Sequence, residues 1–154
     1  MSVLHRTLHR IEDLAAFLSE LAGTWEANDL GYGTYTENGH AIRVHWSMSA
    51  GLVRFYTPVS EDLDPERVPG LTADAMAINT RLNLGQFLVD TQRRSLGFGT
   101  AAVLANDGTL GSDVCATHIV TALQTVKAHR EALTMPSRPP TPESSSPPWW
   151  SAEE

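Results

Sequence analysis

The sequence predicts an α+β domain in which a helix, a three-stranded antiparallel meander, a second helix, a two-stranded hairpin and a third helix follow in order, ahead of a proline-rich C-terminal tail. Three observations carry this expectation. Apolar residues recur at three- and four-residue steps from Val3 to Ala22 and again after Ser112. They alternate with polar residues in the region between Asp29 and Val59, as on a strand with one buried face. Asn38-Gly39 stands between two of these runs, where a two-residue hairpin needs positions that tolerate positive φ.

In the first predicted helix, Val3 to Ala22, the stripe is Leu4, Leu8, Ile11, Leu14, Ala15, Leu18 and Leu21, with Phe17 at its edge and Gly23 placed as a stop. The predicted strands are Asp29 to Glu37, His40 to Met48 and Leu52 to Val59. In the second of them Ile42, Val44, Trp46 and Met48 point one way, while Ala41, Arg43, His45 and Ser47 point the other. Glu61 to Gly70, with two prolines, reads as a connector. Thr72 is placed to cap a helix from Ala73 to Asn83, with Asp74 in its first turn. Phe87 and Val89 in Gln86 to Thr91, then Leu96, Phe98 and Val103 beyond a Gln-Arg-Arg-Ser turn, mark the hairpin. Asn106-Asp107-Gly108 leads into a last helix capped by Ser112, whose stripe is Cys115, Ile119, Ala122, Leu123, Val126 and Leu133.

The chain divides into one domain, 1–135, and a tail, 136–154. With 154 residues, 42% of them hydrophobic, the chain is long enough to bury about two-thirds of its unfolded surface. The tail holds six prolines and ends in Trp149-Trp150 followed by Glu153-Glu154, a composition too poor in apolar area to offset its own ordering entropy.

Charge narrows the function classes. A net charge of −7 repels phosphate backbones, and Arg93-Arg94 is the only adjacent basic pair, so direct nucleic-acid binding is disfavoured. The single cysteine, Cys115, forms no internal disulfide, and the N-terminus has no continuous apolar core of the signal-peptide kind. Every apolar run is interrupted within a few residues, so no membrane span is expected and the expected compartment is the cytoplasm.

Little in the sequence points to catalysis. His5 and His9 lie one helical turn apart, but no Glu or Cys completes a metal set. His40 and His45 would face opposite sides of one strand, and His118 and His129 stand too far apart along a helix to share an ion. Gly97-Phe98-Gly99 resembles a degraded dinucleotide fingerprint, yet its glycines fall inside a strand, where they more often mark close packing or a bend. No metal or cofactor is therefore expected. The rival reading is a small thiol hydrolase using Cys115 with His118 as base; against it, Cys115 lies on an apolar stripe.

Leu82-Asn83, then Gly85-Gln86-Phe87-Leu88-Val89-Asp90, and later Asn106-Asp107-Gly108-Thr109-Leu110, taken with the element order, resemble the YbjN-like family, whose members look like class I type III secretion chaperones. The resemblance spans about Ile11 to Leu133. It implies a secretion-chaperone-like fold and a non-enzymatic homodimer, chaperone-like or regulatory, that engages another protein through apolar patches without a cofactor. The residues expected at the dimer interface are Leu71, Ala75, Ile78 and Leu82. Those expected to meet a partner protein are Leu14, Phe17, Leu18, Leu21, Trp149 and Trp150.

Overall fold

Antiparallel strands dominate the computed structural model, which describes residues 5–28 and 31–134. Strand β1 (Thr7–Leu8) and helix α1 (Ile11–Leu18) are followed by β2 (Thr24–Ala27), β3 (Tyr32–Glu37), β4 (His40–Ser47) and β5 (Leu52–Ser60). Helix α2 (Val68–Asn79), β6 (Gln86–Asp90), β7 (Ser95–Val103), β8 (Leu110–Gly111) and helix α3 (Ser112–Thr134) complete the order. Six strands make one sheet in the order β2-β3-β4-β5-β7-β6, and β1 with β8 makes a second, two-stranded one. The expected layout of helix, three-stranded meander, helix, hairpin and helix is thereby corrected. Three further strands form, the meander has four strands, and the hairpin is built into the same sheet because β7 pairs with β5 along its length.

The sheet has one buried face. Ile42, Val44 and Trp46 on β4, Val53, Phe55 and Val59 on β5, and Leu96, Phe98 and Ala102 on β7 belong to a single apolar cluster. Leu14, Phe17 and Leu18 of α1, Leu71, Ala75 and Ile78 of α2, and Cys115, Ile119, Ala122 and Val126 of α3 belong to it too. Period-two strands thus meet period-3.6 helices in two layers, all three helices on the same side.

The predicted first helix, Val3 to Ala22, keeps only its middle. Leu8 is 2% exposed, but as a strand residue opposite Leu110, so its burial fits the helical stripe by coincidence of spacing. Asp13 draws the boundary: its carboxylate accepts the N–H of His9 at 2.9 Å, and Arg10 between them is extended, with φ −162°. Gly23 passes directly over Tyr35, to whose hydroxyl it donates its N–H at 2.9 Å; a Cβ there would lie 2.6 Å from the ring. This approach turns the chain into β2, where Trp25 covers Gly33.

Helix α2 starts at Val68, ahead of the expected Ala73. Pro69 occupies its first turn, where a missing N–H costs no hydrogen bond. Thr72 accordingly lies inside the helix and donates its hydroxyl to the Val68 carbonyl at 2.7 Å, so it is not a cap. Ser112 is committed to the small sheet: its Oγ accepts the Arg6 N–H at 2.8 Å, and its own N–H donates to the Arg6 carbonyl at 2.8 Å. At the far edge of the large sheet, Asn79 lies along β6. Its Nδ2 donates to the Phe87 carbonyl at 2.9 Å and its Oδ1 accepts the Phe87 N–H at 2.7 Å, so a side chain occupies part of the edge another strand would need.

Candidate functional site: the outer face of the sheet

With the helices on one side, residues of opposite parity face away from them. Tyr32 on β3, Arg43 and His45 on β4, Arg54 and Tyr56 on β5, Ala101 and Val103 on β7 and Leu88 on β6 form this outer face. None of them belongs to the core cluster, and among the described residues no helix packs over them. Tyr32, Leu88 and Val103 are 48%, 40% and 76% exposed. Aromatic and aliphatic groups interleaved with arginines are what protein-binding surfaces favour.

Two regions can be told apart. At one end Tyr32 and His45 stack in parallel, their ring centroids 3.9 Å apart, and His45 faces Arg54 across the strand pair, which in turn faces Ala101. Val103 continues this end toward Leu52. At the other end is a cleft of about 580 Å³, among whose lining residues are Arg43, Tyr56, Pro58, Leu88, Asp90 and Arg93. That volume lies in the range of small-ligand and side-chain pockets.

Local sequence builds the cleft. Tyr56 lies over Gly97, where a Cβ would come within 2.1 Å of the ring, and Leu88 lies over Gly99, where a Cβ would meet it less tightly, at 3.0 Å. The two strand glycines therefore make room for side chains on the outer face. A register shift between Pro58 and Ser60 bends β5 away, and Glu61 and Asp62 continue as the rim. Across from them the β6–β7 turn is held by Asp90, whose Oδ1 accepts the N–H groups of Gln92 and Arg93, each at 3.0 Å. The two rims are joined where the Leu63 N–H donates to the Arg94 carbonyl at 2.8 Å. Partial burial pushes the Tyr56 phenol above its ordinary pKa, with Arg43 pulling the other way, so at neutral pH the hydroxyl is a protonated donor. Arg43 approaches Glu61 at 3.9 Å with both side chains well exposed, a loose pair that leaves the guanidinium open to other acceptors.

The residues expected from sequence at interfaces are placed elsewhere. Leu71, Ala75 and Ile78 are buried and Leu82 is packed against the core, so this face of α2 is used inside the domain. Leu14, Phe17 and Leu18 are buried as well, with Leu21 partly so. Trp149 and Trp150 lie outside the described residues. Cys115 is 0% exposed and burial pushes its thiol up to about 12, which opposes the thiolate a nucleophile needs. His118, one turn on, directs Nδ1 to the Thr100 hydroxyl at 2.7 Å and stacks on Phe55. Gly97 and Gly99 lie within β7, and no helix starts among them. Among the described residues no three His, Cys, Asp or Glu side chains converge as a metal site, and no helix is long and apolar enough to cross a membrane.

Sequence reasoning passed over Tyr56, Leu88 and Arg54. The signal was present in the strand glycines, read there as close packing or a bend. No protein-family model matches the chain, and no curated protein matches it.

Proposed function

We propose that this chain is a non-enzymatic protein-binding module of the cytoplasm, chaperone-like or regulatory, that engages another protein chain through the outer face of its sheet. The observation that carries the reading is the exposure of Tyr32, Leu88 and Val103 beside Arg43 and Arg54 on a sheet whose other face is fully used by helices. The homodimer expected from sequence belongs to this reading with its contact moved from α2 to the end of the face around Tyr32, His45 and Val103, because Leu71, Ala75 and Ile78 are buried within one chain. A two-fold contact there sets aromatic and aliphatic groups of one copy against the same groups of the other. Edge pairing through β6 is the poorer route, since Asn79 blocks the strand at Phe87.

Sedimentation equilibrium across the micromolar range tests this. The expected result is a concentration-dependent mass that Val103→Arg shifts toward the monomer without altering the fold. A monomer at every concentration removes the homodimer, and if Val103→Arg and Tyr32→Ala also leave every protein–protein contact of the chain unchanged, the outer face is not its binding surface.

A further inference from the structure

The cleft around Tyr56 and Leu88 lies close to where the described chain ends. Arg67 donates from both Nη atoms to the last carbonyls of α3, 2.7 Å to Leu133 and 3.0 Å to Thr134. The same arginine lines a neighbouring depression together with Glu61 and Asp62, which are also the rim of the cleft. Residues after Thr134 therefore start one side chain away from that rim.

The sequence that follows matches the cleft in length and chemistry. Fourteen residues, Met135 to Pro148, precede Trp149-Trp150, and six of them are prolines. At about 3.1 Å per residue in the extended proline-rich conformation, this stretch spans roughly 40 Å, ample to return across one rim. Tyr56, Pro58 and Leu88 offer apolar and aromatic walls for an indole, with the Arg43 guanidinium at the edge for a cation–π contact. Glu153 follows Trp150 by three residues, about 10 Å of extended chain. Arg54 lies two residues along β5 from Tyr56 on the same face, with His45 opposite it. An indole beside Tyr56 thus brings the two glutamates to the basic end of the face.

We infer that the cleft is a binding site for an aromatic segment followed by acidic residues, and that its occupant in the isolated chain is the chain's own Trp149-Trp150 segment, bound in cis. The inference rests on the outer face being a protein-binding surface, and it makes one end of that surface self-occupied. The proline-rich approach lowers the ordering cost of docking, because the segment starts from fewer conformations. A partner displaying the same aromatic-then-acidic pattern competes with the tail.

The test uses the full chain, its Trp149→Ala/Trp150→Ala double variant, and a synthetic peptide of residues 135–154 as probe. The peptide is expected to saturate the double variant. Tethering holds the tail at an effective concentration on the order of millimolar, so the wild-type chain should bind the peptide at least about tenfold more weakly. Leu88→Arg, added to the double variant, should abolish binding, and Arg43→Glu, which keeps the cleft walls, should weaken it. Met76→Arg, on the exposed side of α2 and off the outer face, should leave it unchanged, while sedimentation of Val103→Arg reports on self-association, so the two readings fail separately. Absence of saturable binding to the double variant overturns the inference, as does binding that ignores both Leu88→Arg and Arg43→Glu. A wild-type dimer that dissociates when the two tryptophans are replaced overturns the cis assignment.

Discussion

Thr57 presents a buried hydroxyl on the helix-facing side of β5, 1% exposed, with no hydrogen-bond partner for its Oγ1 among the described residues. An unpaired buried polar group costs about 1–3 kcal/mol, and replacing it with a methyl of nearly the same shape removes that cost. Thr57→Val is therefore expected to raise stability by about 1 kcal/mol, read as a higher urea midpoint at unchanged slope. A lower midpoint means that the hydroxyl is satisfied in solution. His118, on α3, has the opposite accounting: it is 6% exposed and bonded to Thr100, and burial lowers its pKa below the ordinary 6.5. The native state keeps this ring neutral while the unfolded chain takes up the proton. Its contribution is complete above pH 6.5 and is lost as pH falls through the lowered folded value. Within that window each pH unit costs about 1.4 kcal/mol for one proton. Urea titrations from neutral pH downward should show stability falling below pH 6.5, less steeply in His118→Leu; an equal fall in the variant assigns the acid limb to other groups. The depth of Cys115 could be read from its place in an apolar stripe, whereas the partner of His118 could not, because Thr100 lies eighteen residues away on another element.

Two features with strong local signals lie where the sequence puts them, whereas the first helix, whose stripe has the most members, keeps only Ile11–Leu18. The Asn38-Gly39 turn has φ of 52° and 79°, and α3 begins at Ser112. Elements specified by distant partners do not follow the local signal. Thr7–Leu8 is a strand only because Leu110–Gly111 comes alongside, and β2 is a strand because Gly33 leaves room for Trp25. A three-and-four spacing has no means of separating Leu8 on a two-residue strand from a helical stripe. The cap on β6 belongs with these long-range features. Asn79, at the end of α2, uses both ends of its amide on Phe87. Asn79→Ala leaves the Phe87 N–H and carbonyl without those partners, and the expected loss is about 1–3 kcal/mol, together with light scattering that rises with protein concentration as the freed edge pairs between chains. Asn79→Asp keeps the acceptor and loses the donor, so it should fall between the two. An alanine variant as stable and as monodisperse as its parent would mean that solvent satisfies the edge equally well.

The molecule as a whole is a sheet with two unlike sides, and the alternation of β4 already showed one of them as polar: Arg43 and His45 against Ile42, Val44 and Trp46. What the alternation lacked was which side the helices take and whether anything is left over. The apolar stripes of α1 and α2, expected to have surplus area for partners, are consumed by the core, and the strands add exposed apolar groups on the outer face, besides single helix residues such as Met76 and Val120. This asymmetry makes a paired prediction. Phe55 on β5 is 1% exposed and stacks on His118, so Phe55→Ala should cost about 3–5 kcal/mol through lost burial and an unfilled cavity. Val103, on the neighbouring strand β7, is 76% exposed and faces away from the helices, so Val103→Arg should change folding stability by no more than about 0.5 kcal/mol. Association should show the reverse order, lost with Val103→Arg and retained by Phe55→Ala wherever that variant is folded. Chemical denaturation and sedimentation on the same two proteins decide it: a large stability loss with Val103→Arg would mean that the outer face is buried by something that belongs to the folded chain itself.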